Sequence, residues 1–209
     1  TEEIGWLATN TSGSTSDTVN TYSSLISNRT TSHAISSINI GSSVFGNVPT
    51  LIAKVSSFYG PDTSNARISN LTSDSVDVRV YEEKSLDSEM LHTTEDISLL
   101  AISDGDKMGS IAAIPYIAYV NPLAGDFAEW GTLSVNHGWQ SVTLNNVYKD
   151  PIVIASDPTF NGTDPATVRI KNIDNNSFDI RLQEPNYMDG LHAYETVSYL
   201  VVESGDWSL

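Results

Sequence analysis

Hydrophobic and polar residues alternate along two stretches of the 209-residue chain. The period is two, which is typical of β-strands that face a core on one side. In the first stretch, apolar residues fall on even positions around the turn-forming segment from Thr72 to Ser75, and the second repeats this around the segment from Asp174 to Ser177. Each stretch therefore predicts a β-hairpin. The predicted core residues are Ile68, Val76, Val78 and Val80 in the first and Ile170, Phe178, Ile180 and Leu182 in the second.

The two hairpins belong to a longer internal repeat. Residues 49–87 align with residues 151–189 without a gap at a constant offset of 102, and after a two-residue deletion the match resumes with His92 on His192. A repeat of this length can bury its own core. No stretch has sustained helical spacing, so helix is expected to be minor. The predicted fold class is all-β, with two tandem antiparallel β-sandwich modules of about six strands each.

The repeat also sets the expected domain boundaries. Residues 9–103 form the first module, with a Ser/Thr-rich entry over residues 9–32, and residues 129–209 form the second. Residues 104–128 link them and are apolar enough to favour packing on a module. Residues 1–8 resemble the closing strand of the repeat, which predicts the end of a preceding repeat or a strand donated to another module. The residues expected to make that assembly contact are Glu2, Ile4, Trp6 and Leu7.

Charge and composition narrow the range of partners. The chain has 26 acidic and ten basic residues, and its formal net charge of −16 argues against nucleic acid and anionic membrane surfaces. It contains no Cys, so neither disulfides nor thiolate chemistry are available. The longest apolar run, from Ile111 to Val120, contains a Pro and is too short to cross a bilayer. High Ser, Thr, Asn and Asp content with few Lys favours an extracellular location, on a cell, an appendage or a virion.

Three segments of the second module resemble the H-type lectin domain. They are W-x-x-V-x-L…V-Y-x-x-P-x-V-I-A from Trp139 to Ala155, V-R-I-K-N-I-x-x-x-S-F from Val168 to Phe178, and V-S-Y-L-V-V-E from Val197 to Glu203. Through the repeat, the resemblance covers both modules. It implies a six-stranded sandwich, commonly trimeric, that binds galactose-type sugars such as N-acetylgalactosamine between protomers. It also implies a sugar-binding Arg before the turn, which is Arg169 here and Arg67 in the first module.

Recurrent polar residues around one loop give the candidate sugar site. The family's Trp-His pair is replaced by Pro185-Asn186, and the His of the following loop is the candidate substitute. Glycans are bound by planar Arg and carboxylate groups together with aromatic faces. Tyr187 and Tyr194 occur only in the second module, which is the expected binder if only one module binds, whereas Trp139 is expected in the core or at an interface. The predicted sugar-binding residues are Arg169, Glu184, Tyr187, Asp189, His192 and Tyr194, with Arg67, Glu82, Asp87 and His92 in the first module.

Other interpretations of these polar residues stay open. One is structural, with His and Glu orienting the long loop through hydrogen bonds. Another is a divalent-metal site of Asp189, His192 and Glu195, with structural calcium as the possible ion, although the main expectation is that no cofactor is present. Arg79 and Arg181 lie beside aspartates and are expected to form cross-strand charge ladders.

These observations predict a binding protein. No opposed carboxylate pair and no nucleophile elbow is signalled, so catalysis is not expected. The prediction is an extracellular carbohydrate-binding or adhesion protein of tandem lectin-like modules, with glycans as partners and self-association as a trimer or a head-to-tail filament. The alternative is a structural subunit of a surface filament, stalk or viral fibre that assembles by N-terminal strand donation.

Overall fold

All the regular structure in the described part of the chain is β. The computed structural model describes residues 13–16, 21–26, 31–85, 88–103, 108–109 and 128–204. Every strand pair in these residues is antiparallel, which confirms the predicted all-β class. The same residues contain no helix that could span a membrane. The predicted assembly strand, with Glu2, Ile4, Trp6 and Leu7, lies outside the described residues, as does most of the link 104–128.

Residues 13–103, here called the N-terminal half, form two sheets. The strands are β1 (Gly13–Ser16), β2 (Thr21–Ile26), β3 (Ser36–Asn39), β4 (Thr50–Val55), β5 (Ser64–Ser69), β6 (Ser75–Glu82) and β7 (Ile97–Ile102). One sheet has the order β1-β2-β7-β4 and the other has the order β3-β6-β5.

Residues 108–204, the C-terminal half, repeat this arrangement. The strands are β8 (Met108–Gly109), β9 (Ala128–Val135), β10 (Gln140–Thr143), β11 (Pro151–Ala155), β12 (Thr167–Asp174), β13 (Ser177–Gln183) and β14 (Glu195–Glu203). Their sheets have the orders β11-β14-β9-β8 and β10-β13-β12. Each strand therefore pairs with the same neighbours as its counterpart in the N-terminal half.

Both predicted hairpins are confirmed. Strand β5 pairs with β6, with Ile68 opposite Val78, and β12 pairs with β13, with Ile170 opposite Ile180. Each hairpin contains an Asn with φ of 49°, at position 70 in the first and position 172 in the second. Asn is among the residue types that adopt this left-handed conformation most readily.

Each half encloses its own hydrophobic core between its two sheets. In the N-terminal half, Leu51, Val76, Val78, Val80 and Ile97 have no exposed surface. The core of the C-terminal half is centred on Phe178, Ile180, Val197 and Val201, which are equally buried. Complete burial of such a side chain stabilises the fold by about 1.5–3 kcal/mol, so these residues fix the strand register.

A third core lies between the halves. It combines Ile52, Leu100 and Ile102 of β4 and β7 with Trp130 and with residues of β9, β11 and β14. Strands β7 and β14 consequently bury apolar side chains on both faces, which explains why the runs ISLLAI and VSYLVV show no polar alternation. The indole of Trp130 is 1% exposed and donates its Nε1 hydrogen to the carbonyl oxygen of Ser103 at 3.1 Å.

Truncating the largest side chain of the third core tests whether this contact stabilises both halves. The substitution Trp130→Ala leaves a cavity and an unused carbonyl acceptor, so the free energy of unfolding should fall by about 3–5 kcal/mol. Denaturant unfolding followed by circular dichroism measures the loss. Val147→Ala, at a position that is 75% exposed, is the control and should change stability by less than about 0.5 kcal/mol. Equal stability of both variants would contradict a third core.

Candidate functional site

A buried carboxylate organises a loop of the N-terminal half. Glu95 accepts hydrogen bonds from the Ser57 hydroxyl at 2.5 Å and from the amides of Tyr59 and Gly60 at 2.9 and 2.7 Å. Burial acts to raise the pKa of Glu95, but these hydrogen bonds and one from His92 outweigh it and lower that pKa to about 2. The carboxylate is therefore ionised at neutral pH and fixes the loop that connects β4 to β5.

The C-terminal half contains the same arrangement. Glu195 accepts from the Thr159 hydroxyl at 2.6 Å and from the amides of Asn161 and Gly162 at 2.8 and 2.7 Å. Burial again opposes ionisation, but hydrogen bonds from His192, Thr159 and these two amides lower the pKa of Glu195. The loop that connects β11 to β12 is therefore held in the same way as its counterpart.

A histidine joins each of these carboxylates to a second one. Nδ1 of His92 lies 2.9 Å from Glu82, and Nε2 lies 3.1 Å from Glu95. Nδ1 of His192 lies 2.9 Å from Glu184, and Nε2 lies 3.3 Å from Glu195. Burial acts to lower the pKa of His192, but the hydrogen bonds with the two carboxylates outweigh it and raise that pKa.

Arg67 crosses from the N-terminal half into the C-terminal loop. One Nη2 hydrogen bond reaches Glu195 at 2.8 Å, and neither side chain has exposed surface. Three further hydrogen bonds reach backbone carbonyls, those of Thr159 at 2.8 Å and of Gly162 and Asp164 at 3.2 Å. Burial lowers the pKa of Arg67, while Glu195 acts in the opposite direction. Since arginine stays charged in proteins, this is a buried ion pair in which four hydrogen bonds use all three nitrogens of the guanidinium.

Two aromatic rings, those of Phe160 and Tyr81, pack beside this ion pair. The ring of Phe160 lies 3.9 Å from the guanidinium of Arg79 and 5.1 Å from that of Arg67, and its centroid is 5.0 Å from that of Tyr81. The Tyr81 hydroxyl donates to the carbonyl oxygen of Thr163 at 2.5 Å. The loop of residues 157–164 is therefore bound on the outer face of β5 and β6.

Two expectations for the outer faces of the hairpins are wrong. Arg79 and Arg181 do not form charge ladders with Asp77 and Asp179, because each Arg stacks on an aromatic ring. Arg79 lies over Phe160, and Arg181 lies 4.7 Å from the Trp139 ring. The two aspartates accept from the Asn seven positions earlier, at 2.8 and 2.7 Å. Trp139 is 40% exposed and therefore does not lie in a core, while its expected place at an interface stays a prediction.

The predicted sugar-binding residues do not form one exposed surface. Arg67, Glu82, His92, Glu184 and His192 are between 1% and 5% exposed. Their mutual contacts are those of the loop-orienting interpretation, and burial leaves them no surface for a sugar. The other predicted residues are accessible: Arg169 is half-buried, and Tyr187, Asp189 and Tyr194 are exposed, while Asp87 lies outside the described residues.

Two sets of residues are relevant to metal binding, the predicted set and a second one that the structure brings together. In the predicted metal set, Asp189 is exposed whereas its two partners form a buried His–Glu contact, so the set does not converge on one point. Asp62, Glu82 and Glu89 each bring one ligand oxygen to within 4.8 Å of the others. Burial raises the pKa of Glu82, and the charges of Asp62 and Glu89 raise it further. These three residues could hold a hard divalent cation such as calcium.

An open cleft of about 300 Å³ lies beside the end of β13. It contains Glu184 and Asp189, two of the predicted sugar-binding residues. Its other polar residues come from two separate segments of the chain, and no motif in the sequence indicated that they lie together. The Nε of Arg181 in this cleft is buried without a hydrogen-bond partner among the described residues. The lining residues are His137, Arg181, Leu182, Gln183, Glu184, Pro185, Asn186, Met188, Asp189 and Gly190.

Comparison with known proteins gives a partial relative. The chain is 28% identical over 168 residues to Halomucin of Haloquadratum walsbyi (strain DSM 16790 / HBSQ001). The match covers 76% of the chain, which spans 2% of the length of that protein. No family model and no solved structure matches the chain.

The hydrogen bonds that Glu95 accepts from Ser57, Tyr59, Gly60 and His92 are here called the Glu95 clamp. This clamp predicts a specific loss of stability in acid. Its pKa is about 2 in the folded protein and about 4.3 in an unfolded chain, so its contribution of about 3 kcal/mol is present above pH 4.3 and is lost as the pH falls towards 2. Glu95→Gln should therefore be less stable at neutral pH and should lose less stability on acidification. Urea unfolding between these pH values tests this, with Asp174→Asn, at an exposed position of the other half, as the control. An acid-induced loss of the same size in Glu95→Gln and wild type would refute the clamp.

Gly60 predicts a second effect at the same clamp. A Cβ at this position would lie 2.6 and 2.7 Å from the ring atoms Cε1 and Nε2 of His92, which is itself buried between two carboxylates. Gly60→Ala should therefore lower the free energy of unfolding by about 1–3 kcal/mol through overpacking. Gly46→Ala is the matched control, because no atom lies within 4 Å of its added Cβ. Thermal melts that show equal stability for the two variants would contradict the geometry.

Proposed function

We propose that this chain is a structural segment of an extracellular surface protein, made of two tandem β-sandwich modules locked together. The observation that carries the proposal is the buried ion pair between Arg67 and Glu195, which joins the outer face of one half to a loop of the other. Relative motion is the default for adjacent domains unless their interface is extensive and apolar. Here the ion pair adds to the third core, so two independent contacts restrict that motion.

The extracellular location is supported by composition and by the partial relative. The chain is rich in Ser, Thr, Asn and Asp, has a net charge of −16 and matches a protein whose name describes a mucin, a class of extracellular proteins. Because the match covers 2% of that protein, a segment of this size would be a small part of a long surface chain. A rigid segment of this kind would maintain spacing along such a chain.

The attachment between the halves should weaken when Arg67 is removed, although the third core still joins them. Arg67→Ala leaves Glu195 buried without its cation, which should lower the free energy of unfolding by about 3–5 kcal/mol. Scanning calorimetry of the variant and of the wild type measures this loss. Arg169→Ala is the matched control at the equivalent repeat position, which is half-buried, and its effect should be less than half as large. Equal losses in the two variants would contradict the locked arrangement.

Carbohydrate binding is a second candidate function, favoured by the cleft beside β13. The cleft combines an Arg, a carboxylate and amide groups next to the exposed Trp139, and these are the groups through which proteins bind sugars. Retention of the chain on immobilised sugars tests this candidate.

The predicted assembly through residues 1–8 is a further proposal, and deletion of those residues tests it by its effect on oligomeric state.

A further inference from the structure

We propose that the cleft beside β13 binds one pyranose ring of a neutral glycan, and that the equivalent region of the N-terminal half is closed by the contact between the halves. The chain would then have a single sugar site. This inference rests on carbohydrate binding, the second candidate function. The sugar site itself does not depend on the Arg67–Glu195 ion pair, whereas closure of the N-terminal region involves the loop that this ion pair holds.

The polar groups of the cleft suit the hydroxyls of a sugar. Each hydroxyl can both donate and accept, so a sugar needs both kinds of partner. The guanidinium of Arg181 supplies donors: Nη2 donates to the Gln183 side chain at 3.1 Å, while Nε is buried without a partner among the described residues. Asp189 supplies acceptor oxygens, and the amides of Gln183 and Asn186 supply both kinds of group. A neighbouring Arg and carboxylate can bind two adjacent hydroxyls of one ring.

The size and charge of the cleft point to a neutral ring. A volume of about 300 Å³ lies at the lower end of ligand sites, which run from roughly 300 to 1,000 Å³. Of the two carboxylates in the lining, Asp189 is exposed while Glu184 is buried against His192, and the whole chain is strongly acidic. A carboxylated or sulfated sugar would be repelled by these charges, whereas an uncharged pyranose would not.

Trp139 adds the apolar surface that sugar C–H groups require. Its ring lies 4.7 Å from the guanidinium of Arg181 and 4.0 Å from Nζ of Lys171, and 40% of the residue remains exposed. Arg181 therefore contacts the indole and also lines the cleft. A ring bound by Arg181 would lie next to an aromatic surface that is already held in place by two cations.

The same positions in the N-terminal half are covered by the C-terminal half. Arg79 corresponds to Arg181 and lies under the Phe160 ring at 3.9 Å. Tyr81, which corresponds to Gln183, donates its hydroxyl hydrogen to the C-terminal loop at 2.5 Å. The amide of Lys84, which corresponds to Asn186, donates to the Tyr187 hydroxyl at 2.6 Å. The contact between the halves therefore closes one site and leaves the other open.

Nuclear magnetic resonance titration of the 209-residue chain tests the site. The probes are the methyl glycosides of galactose, N-acetylgalactosamine, glucose and mannose. At least one glycoside should shift the Trp139 indole resonance, and the shift should fit binding to one site per chain. The resonance of the buried Trp130 indole should stay unchanged. Arg181→Gln and Asp189→Asn should each weaken binding at least roughly tenfold, while Val147→Ser should not. Circular dichroism melts establish that all variants are folded.

The outcomes separate the site from the function. If none of the four glycosides binds, both the cleft and the carbohydrate candidate are refuted, and the structural proposal still stands on the Arg67 result. If binding persists in Arg181→Gln and Asp189→Asn but is lost in Tyr194→Ala, the sugar lies on the exposed loop and the cleft assignment is wrong. Two equivalent sites per chain would refute closure of the N-terminal region.

Discussion

The structure depends on one buried carboxylate, that of Glu195, whose oxygens are fully hydrogen-bonded. Glu195 has no exposed side-chain surface, yet it receives a hydroxyl, two backbone amides, a histidine and the guanidinium of Arg67. Removing such a carboxylate from water is costly unless every lone pair has a partner. Because the last of these partners comes from the other half of the chain, the clamp that shapes one loop also sets the position of the two halves.

The two copies of the repeat hold their loops in the same way, but the loops make different contacts. The loops of both halves are held by equivalent carboxylates, Glu95 and Glu195, and each presents a Phe at the same position. Phe160 is bound between arginines of the N-terminal half, whereas Phe58 is 80% exposed. The Arg of the C-terminal hairpin instead stacks on Trp139, which has no aromatic counterpart at the equivalent position of the N-terminal half. The two halves have therefore diverged at their outer faces while their cores and clamps remained alike.

The strands and their buried residues could be predicted because each follows from local periodicity and from the repeat. Alternation placed Val76, Val78 and Val80 in the core without any knowledge of their partners. The site was harder to predict, because a recurring His or Glu has the same spacing whether it binds a ligand or supports a loop. The contacts of Arg67 join positions about a hundred residues apart, and its repeat mate Arg169 carries no sequence signal that would distinguish the two. The cleft combines His137 with the segment from Arg181 to Gly190, which only the paired strands bring together.

The coupling energy between Arg67 and Glu195 is the most direct measure of this account. A double-mutant cycle with Arg67→Met, Glu195→Gln and the combined variant isolates the pairwise term from the other contacts of each residue. The account predicts that the double variant is more stable than the sum of the single losses implies, with a coupling free energy of about 2 kcal/mol or more. Additive losses would show that the ion pair does not join the two halves.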